Sequence, residues 1–299
     1  MTTNPVAGRP RIGSDDHKEL FCRWFLDSHD PYRVDDIAWP ELAPEALDKL
    51  RGLPFWGDAV GTEREVAAKI RALAPRERDP LIREAIELQG FEEARHSELL
   101  RRMTGHYAID VDEAAAPPLP ADLEWGFLRT GYGECFDSFF AFGLFTLARR
   151  TGLFAPALLE TVEPVVAEEA RHIVFFVNWV AHRRARMPRW RRPIDWARCQ
   201  AAIGVQIWRR IQTAAGIDND EFLSTGHASF DLDVSPREVL ALCLSENARR
   251  LGPLDARLLR PRLTPALARA GLLALDAGAK VPFVRRRLGL GRGNGVSGS

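Results

Sequence analysis

The chain has no excess charge of either sign. It holds 41 Lys and Arg against 41 Asp and Glu, so no overall field draws it to nucleic acid or to an anionic membrane surface. Cysteine is sparse: Cys22, Cys135, Cys199 and Cys243 are far apart and form no CxxC, which speaks against a thiolate metal site and for reduced thiols. Long apolar runs are missing too. The most apolar stretch, Ile173 to Ala181, is too short to span a bilayer. The opening MTTNPVAGRPRIGSDD lacks the hydrophobic segment of a secretory signal. No stretch alternates apolar and polar residues as a strand does, and no glycine-rich nucleotide fingerprint is present. These absences imply an all-α, soluble, cytoplasmic protein without a nucleic-acid partner, a membrane span or a flavin or nicotinamide of its own.

What is present is one phrase written twice. Glu92-Glu93-Ala94-Arg95-His96 and Glu168-Glu169-Ala170-Arg171-His172 both read EEARH, 76 residues apart. Each holds a Glu-x-x-His, and residues three apart on a helix lie on one face. Glu93 with His96, and Glu169 with His172, are thus each placed to close on a metal ion. Two such pairs, each joined by one Glu from another helix, make a six-ligand dinuclear site inside a four-helix bundle.

Helical periodicity supplies the other two carboxylates. In a helix over about 58–74, Val66, Ile70 and Leu73 form an apolar stripe that Glu63 continues one turn earlier. Glu65 falls with Ala68, Lys69 and Ala72 on the outer face and is the alternative ligand. A carboxylate on an apolar stripe has to be paired, protonated or bound to metal. The breaker Pro75 to Pro80 turns the chain back into a helix over about 80–103 with Ile82, Ile86, Gln89, Glu93 and His96 on one face, closed by Gly105. Residues 105–121, with Pro117, Pro118 and Pro120, form the one long crossover. A third helix over about 122–150 places Glu134 on a face with Phe127, Gly131, Ser138 and Ala141. Gly131 and Gly133 imply either close helix packing or room beside a metal. After a turn and short helix at 151–161, a fourth helix runs over about 163–186 with Pro164 in its first turn and Glu169, His172 and Phe176 on one face.

The flanks read as additions to this unit at 58–190. Residues 1–16 are polar and expected to be disordered. Residues 17–57 form an arm, with a helix over 17–28 and then an irregular segment carrying four prolines and two glycines. Beyond 190, a helical extension over 191–283 contains helices near 194–215, 235–250 and 264–278, the second opened by a capping box at Ser235 and Glu238. The basic, Gly-rich tail 284–299 is expected to be disordered.

With these residues on one scaffold, the chain resembles the ferritin-like carboxylate-bridged di-iron family over residues 58–186. The form of both motifs is similar to that of the soluble acyl-carrier-protein desaturases and the arylamine N-oxygenases. The resemblance implies a ferritin-like four-helix bundle in which Glu93 and Glu169 bridge two irons. Glu63 with His96 completes one iron, and Glu134 with His172 the other. Carboxylate-rich donors with one imidazole per metal suit iron or manganese, whereas zinc prefers four-coordinate sites richer in His and Cys. Glu92 and Glu168 lie about 100° round the helix, placed to accept from a neighbouring histidine, with Arg95 and Arg171 balancing their charge. Three positions depart from or echo relatives. Val165 stands where N-oxygenases carry an extra His, and Leu100 where reductase subunits carry a radical Tyr. Ser138 matches the hydroxyl that multicomponent hydroxylases place one turn after the third-helix Glu.

The function implied is a non-haem di-iron oxidoreductase, an oxygenase, oxidase or desaturase, using O2 on a mainly apolar or carrier-tethered substrate. Its electrons would come from an external reductase or ferredoxin, and a homodimer fits the reading. Phe127, Phe136, Phe139, Phe140, Phe175 and Phe176 are the expected walls of a substrate cavity. The alternatives are a ferroxidase of ferritin type and a helical interaction module with a structural metal. His17, His29, His106, His182 and His227 match no ligand position and read as surface or core structure.

Overall fold

The computed structural model describes residues 8–53, 56–111, 117–214 and 234–279, and among them every regular element is helical. The arm holds α1 (Asp15–Asp27) and α2 (Pro44–Arg51), with a 3-10 turn at Val34–Asp36 between them. Four longer helices follow: α3 (Trp56–Leu73), α4 (Pro80–His106), α5 (Leu123–Thr151) and α6 (Pro156–Arg186). The extension contributes α7 (Arg192–Ala214), α8 (Pro236–Leu251) and α9 (Leu263–Ala279).

Local chemistry sets several of the boundaries. Asp79 accepts from the Leu81 and Ile82 N–H groups at 3.1 and 3.3 Å and starts α4, with Pro80 at the first helical position. Asp122 caps α5 by accepting from Trp125 N at 2.9 Å, and Gly152 ends that helix at φ +65°. The capping box at Ser235 and Glu238 opens α8.

The four long helices pack α3 on α4, α5 on α6, α3 on α5 and α4 on α6. Ion pairs fix their directions. Arg149 meets Glu163 at one end of the α5–α6 pair and Arg183 meets Glu124 at the other, so these helices are antiparallel. Arg95 meets Glu168 while Arg171 meets Glu92, so α4 and α6 are antiparallel as well. It follows that α4 and α5 run the same way.

One core unites the bundle and α1, where Phe21 and Phe25 pack on Phe175. A second cluster, with Leu50, Trp56, Met103, Tyr107 and Leu158, seals one end of the bundle with α2. A third, with Phe139, Val239, Cys243 and Ala268, seats α8 and α9 on α5. No described helix is long and apolar enough to cross a membrane.

Several expectations need correction. Residues 8–14 are held in place: Arg9 donates to the carbonyls of Arg257 and Ala256 at 2.9 Å each, and Ser14 caps α1. Residues 1–7, Phe55, His227 and the tail 284–299 lie outside the described residues. Gly105 is inside α4, and the left-handed residue beyond the helix is Ala108, at φ +50°. The helix expected from 163 begins at Pro156, which takes the first helical position, so Pro164 is interior and leaves the Glu160 carbonyl without its helical donor. Gly131 and Gly133 make close packing, not room for a metal. A Cβ at Gly131 would collide with the Phe176 ring, and one at Gly133 would meet Gln206 at 3.4 Å.

Candidate metal centre

Glu63, Glu93 and Glu169 come together at the middle of the bundle with both motif histidines. Donor atoms of Glu63, Glu93, His96 and Glu169 all lie within 4.8 Å of one another. Nδ1 of His96 is 3.7 Å from Glu63, 3.8 Å from Glu93 and 3.3 Å from Glu169. Nδ1 of His172 is 3.0 Å from Glu93 and 3.7 Å from Glu169. Glu134 faces the same centre from α5, where the charges of Glu93, Glu169 and His172 act on its carboxyl. Glu65 turns away and pairs with Lys69, so Glu63 is the α3 carboxylate at the centre.

The outer nitrogens are fully engaged. Nε2 of His96 donates to Glu168 at 2.8 Å, and Nε2 of His172 donates to Glu92 at 2.9 Å. With Nε2 carrying the proton, Nδ1 of a neutral imidazole presents a lone pair, and in both histidines it presents it to carboxylate oxygens. Acceptor faces acceptor. The Nδ1 atoms of His96 and His172 and both oxygens of Glu134 are buried without a hydrogen-bond partner. Buried polar groups are otherwise almost always paired, so these converging acceptors fit a positive species at their middle, either protons or cations.

The electrostatics agree. Burial pushes the Glu63 carboxyl up, repulsion from Glu93 and Glu169 adds to it against the His96 hydrogen bond, and the result is about 8. Burial, then Glu93 and Glu169, holds Glu134 well above the usual carboxylate range. For His96 burial favours the neutral ring, yet Glu168, Glu169 and Glu63 outweigh it and hold its pKa well above the ordinary value. His172 is raised in the same way, burial being outweighed by Glu93, Glu169 and Glu92. Glu169 moves down: its burial is overcome by hydrogen bonds to His172 and His96. The raised pKa values of Glu63, Glu134, His96 and His172 mark a cluster of carboxylates that positive charge at its middle stabilises. A metal cation supplies such charge, and this donor set can hold one.

An outer layer closes the site. Arg171 Nη1 donates to Glu92 at 2.8 Å and Arg95 pairs with Glu168. Both arginines are tied to the arm: Arg171 to Ser28 Oγ at 2.9 Å and to the Phe25 carbonyl, Arg95 to the carbonyls of Asp30 and Tyr32 at 2.9 Å. His29 donates to Glu92 at 2.6 Å, and the Tyr32 hydroxyl donates to Glu168 at 3.5 Å beneath the Arg95 guanidinium. Burial pushes the Tyr32 phenol up to about 12 and the Glu92 carboxyl too, but for Glu92 the His172 and Arg171 partners prevail and hold it at about 2. His29 and Tyr32 were not legible as site residues, since both lie in the irregular segment after α1 where no periodicity assigns a face. His17 and His182 are buried in the core near Phe21, and His106 stacks on Trp39.

Beside the inner carboxylates lies a cavity of about 400 Å³. None of the six phenylalanines expected to wall it does so. Its surfaces are Val66, Ala141, Leu144, Phe145, Leu159 and Val165 with their neighbours, while Phe127, Phe175 and Phe176 pack with Trp179 and α1 on other faces. Ser138 is at the cavity wall, its hydroxyl 3.4 Å from Glu169 Oε2. Gln206, Arg209 and Arg210 of α7 line it as well.

Compared with known protein families, curated proteins and solved structures, the chain matches none. The reading of the site rests on its geometry.

Proposed function

We propose that this chain is a non-haem di-iron oxidoreductase of the ferritin-like type, acting with O2 on a mainly apolar organic substrate. The observation that carries the reading is the set of inner donors around one centre: the His96 and His172 Nδ1 atoms and both Glu134 oxygens, buried without a hydrogen-bond partner, beside the carboxylates of Glu63, Glu93 and Glu169. Four carboxylates balance two divalent cations with both imidazoles neutral, and oxygen-rich donors with one imidazole each suit iron or manganese over zinc. The long crossover from α4 to α5 accords with a ferritin-like bundle.

Two irons held by these residues would supply two electrons, which with the two removed from a C–H or N–H bond of the substrate account for the four-electron reduction of dioxygen. The protein's own residues do the rest. Glu92 and Glu168 fix each histidine's tautomer and ring plane, and Arg171 and Arg95 pair with those carboxylates and balance their charge. The apolar cavity excludes bulk water and positions substrate next to Glu134 and Glu169. An iron-storage protein has no use for such a cavity, so it favours an enzyme over a ferroxidase. Electrons come from a separate reductase or ferredoxin, and purified chain with NAD(P)H alone is expected to show no turnover.

The deciding experiment is anaerobic Fe(II) titration followed by O2 uptake measured with and without apolar substrates. Two irons per chain and substrate-dependent O2 consumption are expected. Two irons oxidised without any substrate dependence would make the protein a ferroxidase. An absence of bound iron would leave a helical scaffold.

A further inference from the structure

Helix α7 turns its charges inward. At 100° per residue, its charged residues Arg192, Asp195, Arg198, Arg209 and Arg210 all fall within one arc of about 120°. That arc faces α5, since it also holds the buried Cys199, Ala202 and Gln206. The opposite face, from Ile194 to Ile211, runs about 26 Å along the helix and is open. Ile194, Trp196, Trp208 and Ile211 are 52–60% exposed on it, and Ala197, Ala201 and Gly204 are exposed between them. A surface helix ordinarily keeps its charged residues on the outside. Scattered apolar residues on a surface need no explanation, but an uncharged row of this length does.

Arginine surrounds one end of the row. From Arg183 to Arg210 the sequence holds nine arginines and a single acid, Asp195, in a chain of zero net charge. Arg183, Arg184, Arg186, Arg198 and Arg210 meet carboxylates. The arginines of the α6–α7 turn do not. Arg191 stacks on Trp190, itself 66% exposed, and Arg192 donates to the Ala185 and Met187 carbonyls at 2.8 and 3.2 Å. With the exposed Arg189 they make three cations that no carboxylate among the described residues neutralises. The helix N-terminus adds its own partial positive charge at the same place.

We infer that α7 and the turn before it dock on an anionic phospholipid bilayer. The helix lies in the interface, its outer face among the first acyl carbons and the turn's arginines at the phosphates. Tryptophan and arginine around a wide uncharged face are the composition of helices that lie this way. Charge argues against a second copy of the chain as the occupant. A parallel pair would set the arginine turn against itself, and an antiparallel pair would set it against the end bearing Arg209 and Arg210. Nucleic acid would need cations on the outer face, where none lies. The bilayer is then one helix diameter, about 10 Å, from the cavity that Gln206 and Arg210 line. The inference goes beyond the metal reading and does not depend on it, since no donor of the metal cluster belongs to α7.

Co-sedimentation of the full-length chain with vesicles tests the inference, using phosphatidylcholine alone and two parts phosphatidylcholine to one part phosphatidylglycerol. Partition is expected to be at least tenfold stronger on the anionic vesicles and to weaken as salt is raised. Arg189→Gln/Arg191→Gln should lose roughly 30-fold on them, about fivefold for each cation near an anionic surface. Trp196→Ser/Trp208→Ser should lose binding while remaining helical by circular dichroism, since both side chains are exposed. Arg101→Gln, an exposed arginine on α4, should bind as the unaltered chain does. Equal partition onto neutral and anionic vesicles, or a loss in Arg101→Gln as large as in the turn variant, would overturn the inference. So would a chain that ignores vesicles. A dimer in sedimentation velocity that Trp196→Ser/Trp208→Ser splits would then assign the face to a second copy, and a monomer would assign it to the chain's own remaining residues.

Discussion

His172 donates its Nε2 proton to Glu92 at 2.9 Å, across from α6 to α4. The reverse contact, His96 to Glu168 at 2.8 Å, completes an exchange. Each EEARH segment supplies inner donors with its second Glu and its His, and with its first Glu orients the histidine of the other. Its Arg then neutralises the first Glu of the other copy, Arg171 to Glu92 and Arg95 to Glu168. Antiparallel α4 and α6 make the two segments near-equivalent about the site, which is why the same five residues serve in both places.

This exchange sets the expected effect of Glu92→Ala. Removing the carboxylate leaves Arg171 and His172 buried without their shared partner, at a cost of about 3 kcal/mol in stability. It should also weaken metal affinity 10- to 100-fold, the usual effect of losing an orienting partner. Glu92→Gln keeps an acceptor and should recover part of the affinity. Metal titration and thermal melts of both variants would show it; unchanged metal affinity in Glu92→Ala would remove the positioning role.

His96→Ala and His172→Ala should each lose about one equivalent of iron, because each histidine presents Nδ1 to one side of the centre. Both chains are expected to remain helical, since the core of α1 and α3–α6 is built from separate apolar residues. Iron analysis with far-ultraviolet circular dichroism checks this. Retention of both irons by either variant would contradict the ligand assignment.

The metal-free protein should lose stability as pH rises from about 5 to 8. Glu63 has its pKa raised to about 8 from 4.5, and Glu134, His96 and His172 are raised too. A group whose folded pKa lies above its unfolded value contributes stability below the unfolded pKa, and that contribution is gone above the folded one. Glu92 and Glu169 are lowered and act the other way, losing their contribution as pH falls below about 4.5. The metal-free maximum should therefore lie near pH 5, with a fall in Tm of roughly 5–10 °C by pH 8. Metal competes with the same protons, so the Tm increment on Fe(II) loading should grow over that range. Calorimetric scans at several pH values would reveal a flat metal-free profile if the cluster were not protonated.

Two backbone positions should respond in opposite senses. A Cβ at Gly143 would clash with the Cys243 side chain and lie 2.9 Å from its Cα, so Gly143→Ala should destabilise by about 1–3 kcal/mol by forcing α8 off α5. Ala108 holds φ +50°, a conformation that costs an L-residue roughly 1 kcal/mol. Ala108→Gly should leave stability unchanged or raise it by up to that amount, offset in part by glycine's greater unfolded-state entropy. Denaturant midpoints of the two variants decide both.

The sequence by itself determined the long helices and which of their side chains face inward, but not α2, which lies in the segment read as irregular. Periodicity of 3.6 assigns each residue of a helix to a face, so Glu63, Glu93, Glu134 and Glu169 could be placed on inward stripes, with His96 and His172 one turn from their glutamates. The same logic favours Glu63 and leaves Glu65 as the alternative, and the structure pairs Glu65 with Lys69 on the outside. Only the tertiary structure decided who meets whom. That His29 and Tyr32 reach Glu92 and Glu168 depends on how the segment after α1 lies over the bundle, and no local pattern encodes that path. The cavity was equally hidden: five of the six phenylalanines on helical faces are buried in the core and Phe140 is half-buried, while the open space runs along Ala141, Leu144 and Leu159. A void is set by the separation of packed helices, and Arg209 and Arg210 reach its rim because α7 docks on α5. Faces are a property of one helix and its sequence. Gaps, rims and reciprocal partners belong to several helices at once, and arise only when their packing is fixed.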